Sequence, residues 1–383
     1  MIRQPTATDT RPLLPEPDVT RVRFRHRRRR TLPGPTPGRP HRAEWADAAK
    51  GVCIILVVLW HVVVKDYLQI DWHIGVPVPG LWGTVGEQFL PLRMPLFFTI
   101  SGVFAANAVQ RPWRVVARSR IAGFLYLYAV WLLIHTAVLA TAPNFPTDRA
   151  TSLLGLLEQL TITPSNLWYL YALALYFTVA KAAGRAPRLL VLVPAGALSA
   201  VAAAGLLDTP GNRAGLYQNL VFFLAGRYLR PQVEWWTATA TRRRLVLTSG
   251  AYALALAAMA VAGAQRWFGV WPLVSVVAVA FGLTAAARLR RWPALSHRLA
   301  TLGRITLPIY VIHMPVLAVL HRMLLGPVSG LDPVGQGLLV LGYPVLLTAV
   351  VICVSLAVQR GLLAVHARWL FALPGHRRVE TAG

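Results

Sequence analysis

Ten apolar runs constrain the fold of this chain more than any other feature. They cover residues 45–64, 82–106, 121–142, 166–183, 189–207, 215–229, 245–264, 269–287, 305–325 and 334–358. A hydrocarbon core of about 30 Å needs about 20 apolar residues in a helix, which satisfies its own backbone hydrogen bonds in lipid. The runs predict an all-α, polytopic membrane protein with about ten transmembrane helices. The run at 215–229 is short and the one at 82–106 carries charges. A shorter apolar stretch at 153–162 predicts an interfacial or re-entrant helix in an outer loop. With 56% hydrophobic and only 14% charged residues, the chain is too apolar for an ordinary soluble domain.

A formal charge of +25 would suggest nucleic acid in a soluble protein, but its distribution argues against that partner. Of the 39 Lys and Arg residues, 33 fall in alternate segments, with Lys50 grouped with the N-terminal tail. The intervening loops hold only Lys65, Arg149, Arg213, Arg266 and Arg322. The positive-inside rule then predicts a plasma-membrane protein with both termini cytoplasmic. Residues 1–43, which include RVRFRHRRRR, read as a disordered cytoplasmic tail against anionic membrane lipids, without the apolar core of a cleaved signal peptide. The membrane domain is expected over 44–372, with a short cytoplasmic tail at 373–383. Cys53 and Cys353 both lie in apolar runs, so they read as packing residues, and neither a disulfide framework nor a metal site is expected. An excess of arginine over lysine, 36 to 3, suits a GC-rich bacterial genome.

An ionisable group at mid-membrane costs about 2.5–3.5 kcal/mol on insertion scales, so each is by default a functional candidate. Five stand out: Lys50, His61, Glu87, Arg93 and His313. Lys50 and His61 are three helical turns apart, on one face and about 16 Å from each other along the axis. Asp66 follows closely enough to orient or stabilise the imidazole. Glu87 is expected at the depth of His61, with Arg93 about 9 Å deeper. Six residues is a poor helical spacing for a bridge between those two, so each is expected to face partners on other helices. Ser101 and Gly102 permit close helix contact. His313 sits mid-run between Pro308 and Pro315, with Tyr310 one turn earlier. Any one of these histidines is as compatible with a hydrogen-bonded packing role as with chemistry.

The segments DAAKGVCIILVVLWH, RMPLFFTISGVF, RVVARSRIAGFLYLYAVW, LWYLYALALYF and GRITLPIYVIHMPV carry a resemblance. Together they resemble the integral-membrane acyltransferase family 3, in particular its fucose 4-O-acetylase-like branch. The resemblance implies an O-acetyltransferase that moves an acyl group, usually acetyl, from cytoplasmic acyl-CoA to a hydroxyl. The acceptor would be a glycan, a lipid-linked sugar or another small molecule. It implies catalytic roles for His61 and Asp66 and donor binding by Arg114, Arg118 and Arg120; from the residues themselves, Arg93 and Glu87 are expected at the catalytic centre and Lys50 on the path of the donor. Trp168, Tyr310 and His313 are expected in the substrate pocket. Two positions depart from the pattern: Ala117 stands three before Arg120 where an arginine is common, and Arg93 stands where many relatives carry histidine.

The residues suit such chemistry. The arginines between 111 and 120 can hold the phosphates of coenzyme A, His61 can act as general base, and Arg93 can stabilise an oxyanion. Two other readings stay open from the residues: a transporter or flippase for a lipid-linked sugar or small anion, and a non-catalytic membrane partner.

Overall fold

A computed structural model describes residues 44–75 and 77–374. The Arg/Pro-rich segment 1–43 and residues 375–383 of the expected C-terminal tail lie outside the described residues. Sixteen α-helices follow in order. They are α1 (Glu44–Lys65), α2 (Val78–Gln88), α3 (Leu90–Val109), α4 (Trp113–Val116), α5 (Ala122–Ala140), α6 (Leu153–Thr161), α7 (Trp168–Ala182) and α8 (Arg188–Ala203). Then come α9 (Arg213–Tyr228), α10 (Arg230–Ala238), α11 (Arg242–Val261), α12 (Val270–Arg288), α13 (Pro293–Arg304), α14 (Thr306–Ser329), α15 (Pro333–Leu339) and α16 (Tyr343–Ala364). Among the described residues there is no strand, and the protein is an all-helical membrane protein.

Every expected run falls on a helix, but only seven stretches are long and apolar enough to cross a bilayer, among the described residues. The expected spans at 166–183, 189–207 and 215–229 coincide with α7, α8 and α9, of 15, 16 and 16 residues. At the α-helical rise these reach only about 22–24 Å. Of the three, α8 ends four residues before its expected limit at 207, because Gly205 takes positive φ, whereas α7 and α9 end within a residue of theirs. The expected run at 334–358 is two helices, α15 and α16. Asp332 caps α15 by accepting from the Val334 and Gly335 amides, and Pro344 restarts the chain in α16. The run at 82–106 is likewise divided at Phe89, where Pro91 opens α3. The short apolar stretch at 153–162 forms α6, with Leu153, Leu154, Leu157 and Leu160 exposed. Cys53 is buried, whereas Cys353 lies exposed on α16, so only the first packs as expected.

Two seams with backbone against backbone set the positions of α1 and α3. A Cβ at Gly51 would collide with the Leu299 carbonyl, and one at Gly303 with the Asp47 carbonyl, so α1 and α13 touch through glycine from both sides. The same reciprocity joins α3 to α9, where Gly102 meets the Phe223 carbonyl and Gly226 meets that of Thr99. Small residues are what let helices approach so closely in lipid. The buried side chains divide into two clusters. One lies among α1, α5, α14 and α16, the other among α3, α7, α9 and α12, with α1 contributing to both.

Candidate active site

His61 and His313 meet where α1 packs against α14. Their ring centroids are 5.0 Å apart, and His61 Nδ1 lies 3.3 Å from His313 Nε2. The neighbours fix the protons. His313 Nδ1 is 2.8 Å from the Tyr310 carbonyl and 3.1 Å from that of Ile309; because carbonyls only accept, Nδ1 carries the proton. In a neutral ring Nε2 of His313 is then an acceptor. His61 Nδ1 donates to the Val57 carbonyl at 2.8 Å and shares its proton with His313. Nε2 of His61 is therefore left with a lone pair and, among the described residues, no partner. His313 is buried while His61 is only half-buried, so it is the first ring that keeps access to the site.

Arg93 stands beside this pair. Its guanidinium lies 4.8 Å from the ring centroid of Trp60, the residue before His61 on α1. The side chain is buried, yet Nη1 has no hydrogen-bond partner among the described residues. Buried polar groups are normally satisfied, so an orphan donor at a cluster of titratable side chains suits a ligand oxygen.

The expected contact between Asp66 and His61 does not form. Asp66 lies beyond the last residue of α1 and five positions from His61, which is about 140° around the helix. Its carboxylate instead accepts from Nδ1 of His321 at 2.9 Å and from the Tyr343 hydroxyl at 2.9 Å, all three groups buried. Glu87 is exposed on α2 and makes no ion pair with Arg93 among the described residues.

The remaining expected residues are spread along the same bundle. Lys50 pairs with the buried Asp47 at 2.9 Å and lies over the Phe104 ring at 4.9 Å, and Asp47 also meets Arg304 Nε at 3.4 Å. Lys50 and Arg304 thus flank the Asp47 carboxylate at this end of α1. Arg111, Arg114, Arg118 and Arg120 are all exposed where α4 runs through a single π-helical turn into α5, with Arg120 over the Phe177 ring. Lys181 ties down the preceding loop by donating to the carbonyls of Val109 and Arg111. Trp168 packs on Phe98 and against Gly215. The Tyr310 hydroxyl accepts from the Tyr169 amide and donates to the Asn166 carbonyl, so it joins α14 to the start of α7.

Sequence reasoning passed over three buried groups. His135 of α5 donates from Nε2 to the Val311 carbonyl at 2.8 Å and borders a small polar cavity with Asp148, Arg149, Gln159 and Asn166. His321 and Tyr343 hold Asp66. Both histidines lie inside apolar runs, so the rule that selected His61 and His313 reaches them as well.

The sequence profile of the acyltransferase domain family matches residues 43–359. The inner membrane protein YcfT of Escherichia coli (strain K12) is 27% identical over 154 residues, covering 36% of this chain and 43% of that protein. The chain thus spans less than half the length of this curated relative. No solved structure matches the chain.

Proposed function

Since the chain belongs to the membrane acyltransferase family 3 across residues 43–359, we propose that it is an O-acyltransferase with His61 as general base. It takes an acyl group, acetyl in the first instance, from cytoplasmic acyl-CoA and passes it to a hydroxyl of a glycan, lipid-linked sugar or related acceptor. The observation that carries this reading is the protonation pattern of the histidine pair. His61 Nδ1–H is anchored on Val57 and His313, which leaves Nε2 as the base, and Arg93, over the neighbouring Trp60 ring, has an Nη1 unpartnered among the described residues.

In the reaction, His61 Nε2 takes the proton of the acceptor hydroxyl as its oxygen attacks the thioester carbonyl. His313 Nε2, accepting from His61 Nδ1–H, stabilises the resulting imidazolium. Arg93 Nη1 donates to the oxyanion of the tetrahedral intermediate, in a buried setting where such a donor is worth most. The intermediate collapses with loss of the coenzyme A thiolate, which recovers the proton from His61. In this reading Lys50 and the exposed arginines between 111 and 120 receive the donor phosphates from the cytoplasmic side.

Detergent-purified protein, given acetyl-CoA and cell-envelope or small-molecule acceptors, is expected to release free thiol with formation of an acetyl ester. His61→Ala is expected to lose about 10²–10⁴-fold in kcat while remaining folded. Undiminished turnover by that variant, or no thioester cleavage by the parent protein, overturns the reading. The second outcome is the one a transporter would give.

A further inference from the structure

Between Lys50 and His61 the seam of α1 with α3 holds a pair of hydroxyls that the reaction above does not use. Ser101 Oγ is 2.9 Å from the Phe97 carbonyl and 3.0 Å from the Tyr169 hydroxyl. Serine has one proton and a carbonyl only accepts, so Ser101 donates to Phe97 and Tyr169 donates to Ser101. With its own proton committed, the Tyr169 oxygen is left as an acceptor. It can receive an N–H or O–H but cannot donate to a carbonyl or phosphate.

Its place is well defined. Tyr169 packs against both buried clusters, to which α1 contributes Cys53 in one and Ile54 and Val57 in the other. A chain of ring contacts runs from Phe97 through Tyr169 and Tyr310 to His313 and His61, with centroids 5.0, 5.4, 6.0 and 5.0 Å apart. Lys50, Ser101, Tyr169 and His61 all retain accessible surface, while Cys53, Phe98 and Ile100 around them are buried. Lys50 lies over Phe104 and Arg93 over Trp60, so α1 and α3 run antiparallel here. Ser101 is then about 12 Å along α3 from Arg93 but less than one turn from Phe104. The hydroxyl pair thus sits nearer the cationic end than the reacting end.

An acyl-CoA laid along this seam, phosphates toward Lys50 and thioester at His61, sets its pantetheine arm beside Tyr169. The arm carries two amide N–H groups. We propose that Tyr169, oriented by Ser101, is a donor-binding residue whose phenol oxygen accepts a hydrogen bond from the amide N–H in the half of the arm nearer the phosphates. This rests on acyl-CoA being the donor, as argued above.

The test compares Tyr169→Phe with the parent protein on acetyl-CoA and on the acetyl thioester of N-acetylcysteamine, which keeps only the amide next to the thioester. The variant is expected to raise KM for acetyl-CoA about three- to tenfold, the worth of one hydrogen bond, with kcat nearly unchanged. It is expected to treat the truncated donor like the parent. In direct binding, Tyr169→Phe weakens coenzyme A and leaves 3′,5′-ADP, which lacks the arm, unaffected. Should Tyr169→Phe fail to fold, Ser101→Ala, which frees the phenol from its anchor, is expected to shift KM in the same direction. An unchanged KM for acetyl-CoA, or equal losses on both donors, overturns the assignment of Tyr169 alone. A parent protein that cleaves no thioester overturns the acyltransferase reading instead.

Discussion

Asp66, just past the end of α1, and His321 on α14 form a second rung, 2.9 Å long, beyond the rung made by His61 and His313. Tyr343 adds α16 to the same carboxylate. The residue expected to act on the imidazole of His61 holds in place the helix that supplies the imidazole's real partner. Asp66→Ala leaves two buried donors unsatisfied, each worth about 1–3 kcal/mol. The expected result is a clear fall in the thermal midpoint of purified protein, with a smaller fall for Asp66→Asn, whose amide oxygen still accepts from one of the two.

His313 is expected to act on kcat more than on binding. Its Nε2 receives a hydrogen bond from a ring that becomes cationic only as the reaction proceeds, and hydrogen bonds to charged groups are worth about 1.5–3 kcal/mol. His313→Ala should lower kcat roughly ten- to hundredfold, with KM for acetyl-CoA within a few fold of the parent. Steady-state kinetics on both variants of the pair distinguishes this from the larger loss at His61.

Arg93 gives the opposite pattern in stability. A buried guanidinium whose Nη1 has no partner among the described residues costs desolvation free energy that no hydrogen bond among them offsets at that atom. Arg93→Met, similar in length and apolar, is expected to keep or raise the thermal midpoint while lowering kcat about 10²–10³-fold. A variant that loses stability and activity together would show the guanidinium to be structural.

Gly226→Ala places a methyl group against the Thr99 carbonyl on α3. Overpacking costs typically about 1–3 kcal/mol, and here the obstruction is backbone, which cannot rotate away. The expected outcome is loss of monodisperse protein on size-exclusion chromatography in detergent. Gly250→Ala, where nothing lies within 4 Å, serves as the tolerated control.

The sequence was most legible where one physical rule suffices. Apolar length located a helix for every expected run, and the cost of burying charge selected His61, Arg93 and His313, which the fold brings together. Phasing within α1 was also readable, because Lys50 and His61 lie on one continuous helix. The partners of those residues were not. Which carboxylate meets which histidine depends on the crossing of α1 with α14 and α16, more than 240 residues later in the chain, and no local period encodes it. Asp66 was assigned to the nearest histidine in sequence, whereas the bundle gave it to His321. The end of α8 was less legible for a different reason: the apolar composition runs on to 207, whereas Gly205 at positive φ ends the helix at Ala203.

The two glycine seams have a mechanical meaning. Helices α1 and α3, the opposing walls of the site, are each fastened backbone to backbone onto a different partner, α13 and α9. Neither wall can bend away alone without drawing that partner with it. If acyl-CoA binds as proposed, room for this bulky donor comes from the two walls parting, each with its partner, along the line between Lys50 and His61, as a clasp opens rather than as a hose swells.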